Sequence, residues 1–298
     1  MHIPVLLTEV LEGLAIESDD CVLDCTIGGG GHSEAIARKL GKQGKLIGID
    51  ADAETLGEVA ERLKDTGCHV LLAEENFRNL DTVLAKLQIP FVDKMLFDLG
   101  MSSRELDDSG RGFSFRSDEP LIMTFAAPGK EAALALTAAD IINEWSEETL
   151  ATVLKGYGEE RFAKRIVHGI ITERAKSPIA TTADLVGIIE ASVPAWYRHK
   201  RVHCATKTFQ ALRIAVNDEL EALKEGLQKG FDHLEKGGRI AVISFHSLED
   251  RIVKRFFKAR AQSHEARIIT KRPITPEKKE QQENPRSRSA KLRIIEKI

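Results

Sequence analysis

Three acids in this chain close apolar runs. Asp24 follows Val22-Leu23, Asp50 follows Leu46-Ile47-Gly48-Ile49, and Asp98 follows Met95-Leu96-Phe97. Asp24 also opens Asp24-Cys25-Thr26-Ile27-Gly28-Gly29-Gly30-Gly31-His32, after which Ala35-Ile36-Ala37-Arg38-Lys39-Leu40 reads as an apolar helix. A glycine turn between a buried strand and a helix lets bare backbone N–H groups approach a ligand closely. An acid at the end of the next strand, about twenty residues on, can take both hydroxyls of a ribose. Gly28, Gly30, Gly31 and Asp50 therefore read as a nucleoside-cofactor site.

The spacing narrows the choice of nucleoside. In a G-x-G-x-x-G reading from Gly28 or Gly29 the third glycine falls on Ser33 or Glu34, and no G-x-x-x-x-G-K-[ST] phosphate loop is present. The pattern D-x-T-x-G-x-G-G-H is that of S-adenosylmethionine enzymes of the doubly wound class. Phe77, on the loop after the third strand, could cover an adenine by stacking or could plug the sheet end. Asp98-Leu99-Gly100-Met101-Ser102-Ser103 delivers an acid to the carboxyl edge, where amino-group methyltransferases hold the amine to be methylated. An exocyclic amine on a heteroaromatic ring is a poor nucleophile, because its lone pair is delocalised into the ring. Acceptors on its N–H bonds hold it while the lone pair points at the methyl group. Asp98 is the candidate catalytic residue, with Ser102 and Ser103 on the substrate side.

These residues need a parallel sheet beneath them. Strands near 22–24, 45–50, 70–73 and 95–97 alternate with helices at 53–64 and 80–87, and further strands follow at 240–243, 267–270 and 289–295. From residue 107 to 203 the pattern is helical, after a glycine-aromatic loop that includes Phe113. The expected fold is α/β, a doubly wound Rossmann-like sheet of residues 1–106 and 204–298 interrupted by an all-helical insertion at 107–203. His203, Arg213, Asn217 and His246 are candidate substrate contacts, each also readable as an ordinary structural residue. Trp196-Tyr197-Arg198-His199-Lys200-Arg201-Val202-His203 suits a stacked, phosphate-bearing ligand or an exposed turn. The stretch after residue 272, rich in Glu, Gln and Pro, is expected to be mobile.

Composition sets the class. At 298 residues, 42% hydrophobic and 30% charged, the chain is globular, and no apolar run approaches the roughly 20 residues of a membrane span. Met1-His2-Ile3-Pro4 does not read as a signal peptide, so no leader and a cytoplasmic location are expected. The four cysteines form no C-x-x-C pair, so buried reduced thiols are expected and no metal site. The net charge of −3 hides an asymmetry: from Arg251 onward 15 Lys or Arg face 5 Asp or Glu. That basic segment, with Arg286, Arg288 and Lys291, suits a phosphate backbone or forms a solvated tail.

With these residues in hand the sequence closely resembles the bacterial ribosomal RNA small-subunit methyltransferase H family. The resemblance rests on His2–Leu7, Gly28–Ser33, Asp98–Ser103, Gly110–Phe115, Tyr157–Arg165, Thr206–Leu220, Ser244–Phe257 and Asn284–Arg293. It implies S-adenosylmethionine as cofactor and the exocyclic N4 of a cytidine in 16S rRNA of the small ribosomal subunit as target. A homodimer stays an option, and no membrane partner is implied. Carried over by position, it implies cofactor contacts at Gly30, Gly31, His32, Asp50, Phe77, Asp98 and Glu105, the last where Gln is usual. Two further departures stand out. Ile122-Met123-Thr124-Phe125-Ala126 replaces Asp-Met-Arg-Met-Asp, and His203-Cys204-Ala205-Thr206-Lys207 replaces His-Pro-Ala-Thr-Arg. The rival readings are a nicotinamide oxidoreductase, a catalytically silent ribosome-assembly factor, and a methyltransferase on another amine.

Overall fold

A computed structural model of the chain describes residues 3–101, 109–125 and 135–298. Seven strands, β1 Cys21–Asp24, β2 Lys45–Asp50, β3 His69–Glu74, β4 Val92–Asp98, β5 Leu234–Ser244, β6 Ala266–Ile268 and β7 Lys291–Lys297, form one sheet ordered β3-β2-β1-β4-β5-β7-β6. β1 to β5 run parallel, and β7 is antiparallel to both β5 and β6. Alternate residues of each strand serve opposite faces. Leu23, Ile47, Met95, Phe97 and Val242 join one buried cluster, and Val22, Leu46, Leu96, Ala241 and Ile243 the other. A sheet covered on both faces is why its strands read as continuous apolar runs rather than alternating ones.

The chain order reverses direction at β1, which pairs with β2 on one side and β4 on the other. In open α/β sheets ligands bind outside the carboxyl ends at such a switch point. The first four strands each end on an acid there: Asp24, Asp50, Glu74 and Asp98.

The chain divides into two compact units, residues 1–101 with 220–298, and residues 102–219. The sheet belongs wholly to the first. The second contains helices Ala138–Glu144, Glu147–Gly156, Ala163–Arg174, Thr182–Ser192, Ala195–Arg198 and Thr206–Asn217. Thr137 and Thr181 start two of them with reciprocal capping boxes closed by Asp140 and Asp184. The division thus falls later than the expected boundary at 203–204. Helix Thr206–Asn217 packs on helices Glu147–Gly156 and Ala138–Glu144 and counts with the second unit. That helix ends at Asn217: Asp218 takes φ 49°, and a separate helix, Glu219–Asp232, starts beyond it.

Two other expectations change. The stretch expected to be mobile holds a short helix, Lys278–Glu283, and a 3-10 turn, Pro285–Ser289. Glu280 Oε1 accepts the Leu6 N–H at 2.8 Å, and the Asn284 amide donates to the Ile3 carbonyl. Partners more than 270 residues away order a segment whose local sequence would not. The departing stretch at 122–125 is core: Met123 is fully buried and Phe125 stacks on Phe113, with ring centroids 5.3 Å apart.

Candidate cofactor and substrate site

The glycine turn is stitched to both strands beside β1. Cys25 N–H donates to the Leu96 carbonyl on β4, and Ile27 N–H to the Ile49 carbonyl on β2. Gly28 and Gly30 take φ of +46° and +74°, a region costly for any residue with a Cβ, and Gly30 precedes helix Gly31–Ala37. Gly31 lies under the Pro4 ring, where a Cβ would stand 3.2 Å from Pro4 Cγ. The Arg62 guanidinium donates to the Gly29 carbonyl and to Glu34.

Asp50 ties this turn to the start of the next helix. Its Oδ2 accepts Gly28 N–H at 2.9 Å and its Oδ1 accepts Asp52 N–H at 3.0 Å.

Asp24, His32 and Asp98 form a buried polar cluster under the turn. Asp24 accepts the Ser33 hydroxyl at 2.7 Å and the Thr26 N–H at 3.2 Å, and burial raises its pKa. The Thr26 hydroxyl in turn accepts Asp98 N–H at 2.7 Å. His32 Nε2 lies 2.9 Å from the Val5 carbonyl, which can only accept, so Nε2 carries the proton. Nδ1 then presents its lone pair 3.5 Å from Asp98 Oδ2. Burial lowers the His32 pKa and keeps the ring neutral.

Asp98 is the most perturbed carboxyl of this edge. Burial pushes its pKa up to about 7, the Gly100 backbone N–H opposes the rise, and the Glu249 carboxylate adds to it. Its Oδ1 is buried and has no hydrogen-bond partner among the described residues. A buried acceptor left open at a switch point is shaped for a donor that arrives with a ligand.

The remaining site candidates scatter. Phe77 follows β3, and its ring meets Phe97 edge-on at 5.8 Å. A Cβ on Gly226 would fall 2.8 Å from the same ring, so one edge of Phe77 is core. Ser102, Ser103 and Glu105 lie outside the described residues. His246 caps helix Ser247–Gln262: its Nδ1 accepts Glu249 N–H, and Glu249 returns bonds to the N–H groups of Phe245 and His246. Arg288 is exposed, whereas Lys291 pairs with Asp250 at 3.2 Å.

In the second unit Phe113 is buried beneath the Arg111 guanidinium. Arg213 grips Glu219 through two bonds of 2.8 Å. Asn217 accepts Phe125 N–H and donates to the Met123 carbonyl, anchoring the stretch that departs from the family pattern. His203 stacks on Phe115 with centroids 4.7 Å apart. These contacts give Phe113, Arg213 and Asn217 structural duties in their own unit.

Ser33, Thr26 and Val5 escaped the sequence reading as site-building residues. Ser33 had one available signal, since it occupies the slot where a dinucleotide fold needs its third glycine. The Val5 contribution is a backbone carbonyl, which no residue type announces.

The family model described as "MraW methylase family" matches residues 1–298. A relative from Heliobacterium mobile, named "Ribosomal RNA small subunit methyltransferase H", is 47% identical over 313 residues, covering 100% of this chain and 99% of its own length. Proteins of the same name from Clostridium botulinum (strain Kyoto / Type A2) and Brevibacillus brevis are 43% and 42% identical, with all of this chain and 99% and 98% of theirs covered. With a match of that extent, the chain belongs to the MraW methylase family and by that membership is a methyltransferase.

Proposed function

We propose that this protein transfers a methyl group from S-adenosylmethionine to the exocyclic N4 of a cytidine in 16S rRNA. The observation that carries it is Asp98: a carboxyl at the sheet's switch point, beside the glycine turn, with a buried acceptor oxygen that has no partner among the described residues. The names of the full-length relatives supply the substrate class, and the amine chemistry fits the acceptor.

The residues fit the cofactor. Asp50 closes β2 beside Gly28, the place of the acid that takes ribose hydroxyls in such folds, and the turn from Gly28 to Gly31 offers backbone with positive φ for close approach of the methionine end. His32 and Phe77 stand on the same edge, and Glu105 joins them by its place in the family pattern. When bound, the cofactor supplies an electrophilic sulfonium methyl group. Asp98 accepts an N–H of the amine and fixes its lone pair in line with that methyl group. The amine proton becomes acidic only as the new bond forms, so Asp98 or water takes it without being a strong base. Ser102, Ser103, Phe113, His203, Arg213, Asn217 and His246 stay on the substrate side of the proposal. In it the helical unit selects the RNA, while Arg288 and Lys291 meet its backbone. A base inside folded rRNA must be flipped out or already unpaired to reach the site. The proposed location is the cytoplasm, and among the described residues no helix is long and apolar enough to cross a membrane.

The test is methyl transfer from labelled S-adenosylmethionine to small ribosomal subunits lacking the modification, followed by digestion to nucleosides. Labelled N4-methylcytidine is the expected product. Label on another nucleoside contradicts the target, and absence of transfer with cofactor bound marks a silent assembly factor.

A further inference from the structure

The second unit contains a side-chain cluster of which only His203 figures among the substrate-side residues proposed above. Glu190 lies in the last turn of helix Thr182–Ser192, and His203 and Cys204 lie in the loop entering helix Thr206–Asn217. They bring a carboxylate oxygen, an imidazole nitrogen and a thiol sulfur within 4.8 Å of one another. His203 Nε2 stands 3.6 Å from Glu190 Oε1, too far for a good hydrogen bond. It is close to the separation of about 3.3–3.7 Å that two ligands keep around one tetrahedral zinc. Cys204 is buried and forms the floor, whereas the His203 and Glu190 side chains are 38% and 45% exposed and leave an entry from solvent. Phe115 stacked on His203 fixes the plane of the imidazole.

We propose that Glu190, His203 and Cys204 bind one divalent cation of the zinc class, with water as fourth ligand. A thiolate and an imidazole favour zinc or cobalt over magnesium or calcium, which take all-oxygen sites. Binding has a defined proton balance. The Cys204 thiol releases its proton to solvent. His203 Nδ1 accepts Ala205 N–H at 3.2 Å in the metal-free protein, so the neutral ring carries its proton on Nε2. Ligation through Nε2 moves that proton to Nδ1 and gives up this one long hydrogen bond. The bound ion ties the end of helix Thr182–Ser192 to the loop after Trp196, an exposed ring with the Lys200 ammonium 5.0 Å above it. The site therefore stiffens the segment that displays this aromatic-cation pair.

Cobalt(II) titration of the metal-free full-length protein tests the site. The expected result is one cobalt per chain, visible bands of a four-coordinate ion and a near-ultraviolet sulfur-to-cobalt band, all displaced by zinc. Cys204→Ser removes the sulfur band and weakens binding at least tenfold. Glu190→Gln, at an exposed position, weakens binding several-fold and keeps the band. No stoichiometric uptake, the weak spectrum of a six-coordinate ion, or a sulfur band surviving Cys204→Ser overturns the proposal. If Cys204→Ser does not fold, unchanged affinity in Glu190→Gln overturns it alone.

Discussion

Asp98 owes its chemistry to its surroundings more than to its type. Burial raises its pKa to about 7, so below that pH the acid is protonated and its open oxygen no longer draws an amine N–H as a charged acceptor. The sign is that of a raised carboxyl: the active form is lost as pH falls through about 7. The expected outcome is a kcat/KM that climbs with pH to about 7 and then levels, and a pH profile of Asp98→Asn without that limb. The limb in kcat should lie lower, because a sulfonium charge beside Asp98 favours the carboxylate. At this scale the sequence announced Asp24, Asp50 and Asp98, since an acid after an apolar run is unusual. It could not announce that Ser33 donates to Asp24 or that Thr26 bridges Asp24 and Asp98, because those contacts join residues on different elements.

The glycine turn is only as rigid as the strands that carry it. Gly48, in β2, is packed so closely that a Cβ would stand 2.3 Å from Ile27 Cδ1 and 2.9 Å from Leu72 Cδ2. Ile27 is part of the turn itself, so overpacking here reaches the cofactor. Gly48→Ala should cost about 1–3 kcal/mol in chemical denaturation and weaken cofactor binding by calorimetry. Adding Ile27→Val removes the clashing methyl group and should recover part of both. The caps of the second unit offer an independent check: Thr181→Ala loses the capping box and should cost about 1 kcal/mol, with cofactor affinity unchanged. Most elements were legible because the sheet is buried on both faces and its strands are continuous apolar runs. The break at Asp218 was not, because the residue on either side continues a helical pattern. The metal cluster was equally hidden, since its donors at 190, 203 and 204 follow no ligand spacing.

Charge over the whole chain gives the least specific signal and still yields a measurement. The basic segment from Arg251 is partly spent on ion pairs within the fold: Lys291 and Arg293 share Asp250, Arg267 joins Arg239 of the preceding strand on Glu296, and Arg260 pairs with Glu265. Composition could not separate these cations from free ones. Arg288, exposed on its 3-10 turn, remains available to a phosphate. Arg288→Ala should lower the slope of log K against log salt for 16S rRNA by about 0.7–0.9, with binding weakened alike across RNA sequences. Lys291→Ala should change the slope less, since its ammonium already has a carboxylate.

The most direct test of the central claim is the single-turnover rate of methyl transfer by Asp98→Ala, measured beside its S-adenosylmethionine affinity. If Asp98 orients the amine, the rate at saturating cofactor falls by about 10²-fold or more while the bound fraction is maintained. A rate within a few-fold of wild type at saturating cofactor would contradict the account and move the acceptor elsewhere on the sheet edge.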